Sequence, residues 1–295
     1  IVEAYGEEDR RTFSALHSLA FICYKQGLHK KSLKLNEKVY ALRCKILGAE
    51  HTDTLTTLNN LAQNYNSLGD YKKALETNKK VYSLRLKKSG KEHPNTLLSL
   101  SNIAYNYFLL GYYKEALKHS ENVYNTRCKI LGEEHPSTLT SLTNSASIHS
   151  KMGNYQKALD IQKQVYNIQS KTLGEEHPSA LLSLSNISTS YLYLGEYKQA
   201  LKLSEKVYNT RCKILGKEHS NTIATLNNIA STHIKTGDYP KAWSVQKQIY
   251  DIQYKTLGLE HPNTLLSLNN LSVICMHLGK YAKGSEIAKK TYNIY

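Results

Sequence analysis

Residues 58–75 carry the sequence LNNLAQNYNSLGDYKKAL, and its pattern returns along the chain at a fixed step of 42 residues. Its most constant part is a Gly-x-Tyr marker, and a second marker, Gly-x-Glu-His, recurs at the same step. The glycines of the first marker are Gly69, Gly111, Gly153, Gly195, Gly237 and Gly279, and those of the second are Gly48, Gly90, Gly132, Gly174, Gly216 and Gly258. The length of 295 residues is one residue more than seven of these steps, so the length reflects a number of repeats.

Each step contains two segments of helical length. In residues 97–110, apolar side chains at positions 97, 100, 103, 104, 107 and 110 have helical spacing on one face. Gly111 ends this segment because glycine adopts the left-handed conformation of a helix C-terminus at little cost. A second apolar-faced segment runs from Tyr113 to Gly132. Neither helix pair can enclose a core alone, so the sequence predicts an all-α fold, a right-handed α-solenoid of about seven stacked helix-turn-helix repeats.

The phase of the markers predicts where the repeats begin and end within a single domain over residues 1–295. The repeats are placed at about residues 9–50, 51–92, 93–134, 135–176, 177–218, 219–260 and 261–295. Residues 1–8 are interpreted as the end of a preceding helix. Both ends of the chain then cut through a repeat, which favours a longer parent array. Exposed repeat ends could also stack on one another, so end-to-end self-association is an alternative.

The repeat resembles the tetratricopeptide repeat in its 42-residue, kinesin-light-chain-like form. The resemblance rests on Leu58, Asn59, Asn60, Leu61, Ala62, Tyr65, Leu68, Gly69, Asp70, Tyr71, Ala74 and Leu75, on Arg85, and on Gly90, Glu92, His93 and Pro94. It covers essentially the whole chain. It implies that the first helices of the repeats line an inner, concave groove that binds a peptide segment or a partner protein. The family has many unrelated partners, so the resemblance does not identify one.

The first helices have apolar side chains on the face opposite their core stripe. In residues 97–110 this face contains Leu98, Asn102, Tyr105 and Leu109, whereas a face meant only for solvent would be polar. The resemblance places this face in the concave groove. The side chains expected to form apolar pockets there for a partner are Tyr105, Phe108, Leu109, Leu182, Tyr193 and Met276.

One asparagine recurs on the groove face of the first helices. The asparagine column consists of Asn60, Asn102, Asn144, Asn186, Asn228 and Asn270. An amide side chain offers both a donor and an acceptor, so such a column could hold the backbone of an extended peptide without reading its sequence. The resemblance implies that use. The alternative is that each Asn bonds to a neighbouring helix and sets the pitch of the superhelix.

The second helices contain a polar column that includes Arg85, Arg127 and Arg211. The planar guanidinium fork suits carboxylate recognition, so these side chains predict a partner with acidic groups or a C-terminal carboxylate. The alternative is an intramolecular ion pair with a Glu of the adjacent repeat.

Alternate repeats are more alike than neighbouring ones. The string Arg-Cys-Lys-Ile-Leu occurs at residues 43–47, 127–131 and 211–215, a step of 84 residues. The groove face alternates in the same way, with Leu98, Leu182 and Leu266 separated by Thr140 and Ala224. The pattern predicts that the groove-facing side chains of successive first helices, which we call rungs, are alternately apolar and polar. Duplication of a two-repeat unit is its simplest origin.

Composition excludes several classes of protein. No run of eighteen apolar residues is present, so we expect no membrane span. Five cysteines without CxxC spacing argue against a disulfide framework or a zinc site and favour a reducing, cytoplasmic location. The formal charge of +15 makes nucleic acid a rival partner. The lysines lie mainly on second helices, several of them in pairs, which is typical of solvated helix faces, so we expect a protein or peptide partner instead.

No motif predicts catalysis. The six Glu-His pairs, from Glu50-His51 to Glu260-His261, lie in the turns between repeats and are expected to cap helices. The chain lacks a phosphate-binding glycine loop, a Gly-x-Ser-x-Gly elbow and a His-Glu-x-x-His zinc motif. The sequence therefore predicts a non-catalytic interaction module with no cofactor and no metal.

Overall fold

The computed structural model describes residues 9–294, which form two compact units, one ending at Met152 and the other beginning at Gly153. Regular secondary structure in residues 9–294 is α-helix throughout, which confirms the predicted all-α class of helix-turn-helix repeats. The predicted helix end at residues 1–8 lies outside the described residues.

The described part of the first unit, residues 9–152, contains seven helices. They are α1 (Arg10–Lys25), α2 (His29–Leu47), α3 (Thr52–Ser67), α4 (Tyr71–Ser89), α5 (Pro94–Leu109), α6 (Tyr113–Leu131) and α7 (Pro136–Lys151). Each helix packs against the next one along the chain. The odd-numbered helices of this unit are the first helices of their repeats.

The second unit also contains seven described helices. They are α8 (Tyr155–Leu173), α9 (Pro178–Leu194), α10 (Tyr197–Leu215), α11 (Ser220–Lys235), α12 (Tyr239–Leu257), α13 (Pro262–His277) and α14 (Tyr281–Tyr292). Here too each helix packs against the next along the chain, and the first helices of repeats are α9, α11 and α13.

The Gly-x-Tyr and Gly-x-Glu-His markers of the sequence coincide with the ends of helices. Gly111 follows α5 with φ of +80°, a conformation that only glycine adopts cheaply. At the other end of the same helix, the ring Nδ1 of His93 accepts a hydrogen bond from the backbone N–H of Asn95 at 3.1 Å. The same capping bond forms at His51, His135, His177, His219 and His261. The Glu-His turns therefore cap helices, as predicted.

The core lies between first and second helices. In the first unit, Leu75 of α4, Leu100 and Ile103 of α5, and Val123 of α6 form one buried cluster. A first helix is thus packed between the second helix of the preceding repeat and that of its own repeat. Its remaining face is open, and Tyr105 of α5 lies there with 54% of its surface exposed.

The open faces therefore lie on the helices that the sequence assigned to the groove. None of the helices within residues 9–294 combines the length and the apolarity needed to cross a bilayer.

Candidate functional site

The first unit contains a pocket of about 240 Å³ between α5 and α7, with α6 as its floor. Its walls include Ala104, Tyr105, Phe108, Val123, Asn144 and Ile148. Three of the predicted site residues, Tyr105, Phe108 and Asn144, therefore come together here. The volume is below the roughly 300–1,000 Å³ of sites for drug-sized ligands, so the pocket suits a single side chain of a larger partner.

The pocket is open because the amide pair of the preceding junction is missing here and two serines, Ser120 and Ser145, stand where that junction has larger side chains. The counterparts one repeat earlier are Asn78 and Asn106, whose amides fill the space between α4 and α5 with a hydrogen bond of 2.6 Å. At the α6–α7 junction these positions hold Ser120 and Ile148. A second exchange acts in the same direction, since Ser145 occupies the position that is Ile103 in the preceding repeat.

The hydroxyl groups beneath the pocket are satisfied within the protein. The Oγ atoms of Ser120 and Ser145 are 2.9 Å apart and share a hydrogen bond, and both residues are buried. Because these hydroxyls already have partners, a ligand side chain entering the pocket meets mainly hydrocarbon and aromatic surface. The pocket therefore favours an apolar side chain.

Tyr105 and Phe108 form an aromatic wall on α5. Their ring centroids are 6.4 Å apart with an interplanar angle of 17°, and Phe108 also contacts the ring of Tyr113 at 5.8 Å. Tyr105 remains more than half exposed. Large aromatic side chains held at the edge of a pocket are typical anchors of protein interfaces.

A second, more polar pocket of about 340 Å³ adjoins the first pocket in the same unit. Tyr105 lines both pockets, so the two lie side by side over α3, α5 and α7 and meet at this side chain. The polar pocket also contains the predicted residues Asn102 and Leu109, together with Asn66 and Asn78. We call these two pockets the first-unit groove.

The asparagine column has mixed roles. In the first unit, the Nδ2 of Asn102 donates to the Oδ1 of Asn59 at 2.8 Å, so part of its amide already links two repeats. In the second unit, the Nδ2 of Asn228 lies 3.4 Å from the hydroxyls of Ser185 and Thr189. Asn144 is exposed, whereas Asn60, Asn186 and Asn270 are half-buried.

The second unit places its predicted residues over a wider surface. Leu182, Tyr193 and Met276 are all exposed, and the ring of Tyr193 stacks on Tyr155 with centroids 4.9 Å apart. Asn270 lines two pockets of about 330 and 190 Å³ between α11 and α13. The exposed apolar rung of α13 includes Leu266, as the 84-residue pattern predicts.

The arginine column lies inside the fold. Nη1 of Arg85 donates to the carbonyl of Asn95 at 3.1 Å and to Oγ of Ser99 at 2.9 Å. Arg127 and Arg211 make the corresponding pairs of bonds to the following first helix. Burial lowers the pKa of the Arg85 guanidinium.

These guanidinium groups therefore link helices within the protein and are not gathered in the groove. Their partners are a carbonyl and a hydroxyl, in place of the Glu that the intramolecular alternative named. Among the described residues, no group of three or more His, Cys, Asp and Glu side chains is placed to hold a metal ion.

Sequence reasoning missed a second, buried set of amides. Asn36 donates to Asn64 at 2.8 Å, and Asn78 makes the equivalent bond to Asn106. The signal was present in the sequence as an Asn pair separated by 28 residues in successive repeats. Where that pair is missing, at Ser120, the pocket opens.

Comparison with known proteins gives both a family and structural neighbours. The tetratricopeptide-repeat family model matches residues 11–87, 95–171, 137–213, 183–255 and 221–295. A crystal structure of the nearly identical tetratricopeptide-like repeats of a kinesin light chain from Podospora anserina has 32% sequence identity and a TM-score of 0.60, covering 70% of this chain and 99% of its own. No curated protein sequence matches the chain.

More distant structures share the fold alone. The apo form of the quorum sensor NprR from B. thuringiensis has 16% identity and a TM-score of 0.72, covering 95% of this chain and 75% of its own. A Rap protein complexed with the competence and sporulation factor has 11% identity and a TM-score of 0.65, covering 96% of this chain and 74% of its own.

Proposed function

The chain belongs to the tetratricopeptide-repeat family, and from that premise we propose that it is a non-catalytic interaction scaffold whose first-unit groove binds a peptide segment of a partner protein. One apolar side chain of the segment enters the pocket formed by Tyr105, Phe108 and Ile148. The backbone of the segment lies against Asn102 and Asn144. In the second unit, Asn186, Asn228, Asn270, Leu182, Tyr193 and Met276 form a further contact surface.

The observation that carries this proposal is the pocket itself. The repeat brings an exposed aromatic side chain, Tyr105, to the boundary between an apolar and a polar pocket. An extended peptide offers the matching features, since apolar side chains alternate with polar backbone groups along its length. Burial of a Leu or Phe side chain in such a pocket contributes about 1.5–3 kcal/mol.

Structural neighbours support a scaffold of this kind. The Rap protein that resembles this chain was solved in a complex with the competence and sporulation factor. Its sequence identity of 11% carries no information about which partner this chain binds. The choice of an apolar anchor therefore rests on the first-unit groove alone.

The partner segment is proposed to carry a net negative charge. The support is the formal charge of +15, which steers acidic partners towards the protein at low and moderate salt. The arginine column does not provide this support because its guanidinium groups are bonded within the fold. Salt should therefore slow association more than it weakens the apolar anchor.

A cytoplasmic location is part of the proposal. All five cysteines of the chain are free thiols, and Cys44, Cys128 and Cys212 are only half-buried. Accessible free thiols persist in a reducing compartment, whereas an oxidising one would modify or pair them.

Selection from a random peptide library tests the groove. The full chain is used to select binding peptides, whose affinities are measured by fluorescence anisotropy. Phe108→Ala should weaken the selected peptides at least tenfold, because the apolar pocket loses one wall. Leu192→Ala is the matched control, since Leu192 occupies the same repeat position two repeats later, in the second unit.

The competing partner class is included in the same assay. Random-sequence RNA is added as a competitor at near-physiological salt, and we expect it to leave peptide binding unchanged. Selected peptides without an apolar residue in common, or peptides displaced by the RNA, would overturn the proposal.

Self-association is a second candidate, favoured by one observation on α1. Leu19 and Ile22 are 42% and 51% exposed, whereas their repeat counterparts Leu61 and Asn64 are buried. This face could receive the second helix of another copy. Light scattering against protein concentration should then give a mass that rises with concentration, and a constant monomer mass would exclude it.

A further inference from the structure

In the repeats that contain Arg85, Arg127 and Arg211, the guanidinium occupies a fixed seat beneath the start of the next first helix. For Arg85 the seat consists of the carbonyl of Asn95 and the hydroxyl of Ser99, at 3.1 and 2.9 Å. By this seat we mean the pair of hydrogen-bond acceptors that binds the guanidinium of the chain's own arginine.

The second unit contains the same seat without an arginine. At the repeat position of Arg85 stands Gln253, and the counterparts of the two acceptor residues are Asn263 and Ser267. All three residues line the pocket of about 330 Å³ between α11 and α13. The shorter glutamine thus leaves a cavity where other repeats hold their own guanidinium.

Gln253 is buried in this cavity with an unsatisfied acceptor. The residue is only 7% exposed, and its Oε1 has no hydrogen-bond partner among the described residues. The hydroxyl of Ser267 does not compensate, because it donates to the carbonyl of Thr264 at 2.8 Å. A buried acceptor without a donor is costly, so a ligand that supplies the donor gains affinity.

Gln169, the other glutamine at the repeat position of Arg85, shows that an unsatisfied acceptor is not a general property of glutamine there. Gln169 also replaces an arginine, but its Oε1 accepts a hydrogen bond of 2.8 Å from Ser183. Gln169 is therefore satisfied within the fold, whereas Gln253 is not.

The rest of the cavity suits a long cationic side chain. Ile223, Leu257 and Leu266 provide apolar surface for a hydrocarbon stem. The carboxylate of Glu218 lies at the cavity, where its Oε1 is 3.0 Å from Nζ of the exposed Lys255. An incoming cation could share or replace that surface ion pair.

We propose that this cavity binds the arginine side chain of a partner protein, whose guanidinium donates to Oε1 of Gln253, Oγ of Ser267 and the carbonyl of Asn263. The partner's guanidinium occupies the seat that the chain's own arginine fills in other repeats. The inference rests on the proposed scaffold function only in taking the ligand to be a protein side chain. It does not depend on the first-unit groove.

Titration of the full ¹⁵N-labelled chain with N-acetyl-arginine methylamide tests this site. The side-chain amide resonance of Gln253, identified by its loss in Gln253→Arg, should shift and saturate. Gln253→Arg, followed through the backbone amides of Ser267 and Asn270, should bind the probe at least tenfold more weakly, because its own guanidinium fills the seat. This variant is expected to fold, since Arg211 already occupies that position in another repeat. The control Gln169→Arg should keep the affinity within twofold.

The chemical class of the ligand is tested with two analogues. The citrulline analogue is neutral and keeps the shape of arginine, and it should bind more weakly, while the glutamate analogue should bind at least tenfold more weakly than arginine. Equal or tighter binding of the glutamate analogue would overturn the proposal, as would unchanged binding by Gln253→Arg or an unmoved Gln253 resonance. Phe108→Ala should not change arginine binding, so the two proposals can fail separately.

Discussion

Two junctions of the first unit are formed by equivalent helices of successive repeats but have different buried side chains. Where α4 meets α5, Asn78 and Asn106 are buried and joined by a hydrogen bond of 2.6 Å. Where α6 meets α7, Ser120 and Ile148 stand at the same positions, and a pocket of about 240 Å³ opens beside them. In a repeat array, the side chains that occupy one layer therefore decide whether a junction is closed or can receive a ligand.

The largest expected effect is a difference in how much two substitutions, one at each junction, lower the free energy of unfolding. Asn78→Ala should lower the free energy of unfolding by about 1–3 kcal/mol, because Oδ1 of Asn106 is left buried without its donor. Ser120→Ala should cost about 1 kcal/mol or less, since the lost hydroxyl makes one long bond to the carbonyl of Ser141 and one to Ser145, which keeps its own bond to that carbonyl. Urea denaturation measures both. Equal losses would mean that the amide pair does not close its junction as described.

A smaller effect tests the helix cap that the two junctions have in common. His93 and His135 cap the first helices α5 and α7 with bonds of 3.1 Å each. Replacing either with Ala should cost about 1 kcal/mol of unfolding free energy, and the two losses should agree within about 0.5 kcal/mol. Asn at the same position should restore most of the loss, because it is also a capping residue. Unequal losses in the urea measurement would show that the junctions differ in more than their buried side chains.

The smallest effect is a dependence on pH. His119 of α6 stacks on Tyr107 with centroids 5.5 Å apart, and burial, followed by the charge of Lys118, lowers its pKa. Burial also lowers the pKa of His233 in the second unit, against the attraction of Asp238.

The sign of this pH dependence follows from the lowered pKa values of the two histidines. In the unfolded chain both histidines take up a proton near pH 6.5, and in the folded chain only at lower pH. The free energy of unfolding should therefore be highest above pH 6.5 and decrease as the pH falls below it. His119→Gln should flatten part of this decline in thermal unfolding measured from pH 7.5 to 5.5, and a stability that rises on acidification would contradict the account.

Much of the fold could be predicted from the sequence because helix ends depend on local chemistry. The glycine after α5 and the histidine before it act through their own backbone and their nearest neighbours. The exposed faces were also predictable, since a helical wheel alone places Tyr105 opposite the core. These features need no knowledge of what packs across a junction.

The roles of individual polar residues could not be predicted in the same way. Whether Arg85 faces a partner or a neighbouring helix depends on the distance to Asn95 and Ser99, which only the packed structure gives. The same is true of the unsatisfied acceptor of Gln253. One signal was available for the first pocket: Ser145 stands where Leu61, Ile103 and Ile187 fill the core of other repeats.

The measurement that tests the central claim most directly is the affinity of a selected peptide for Ser120→Asn. This change brings in the amide found at the closed junction, so the pocket should become smaller while circular dichroism stays unchanged. We predict at least tenfold weaker binding, equivalent to about 1.4 kcal/mol. The control Ser204→Asn, at the matching position of the second unit, should keep the affinity of the unaltered chain. Equal peptide affinities for Ser120→Asn and the unaltered chain would contradict the claim that the first-unit pocket holds the partner.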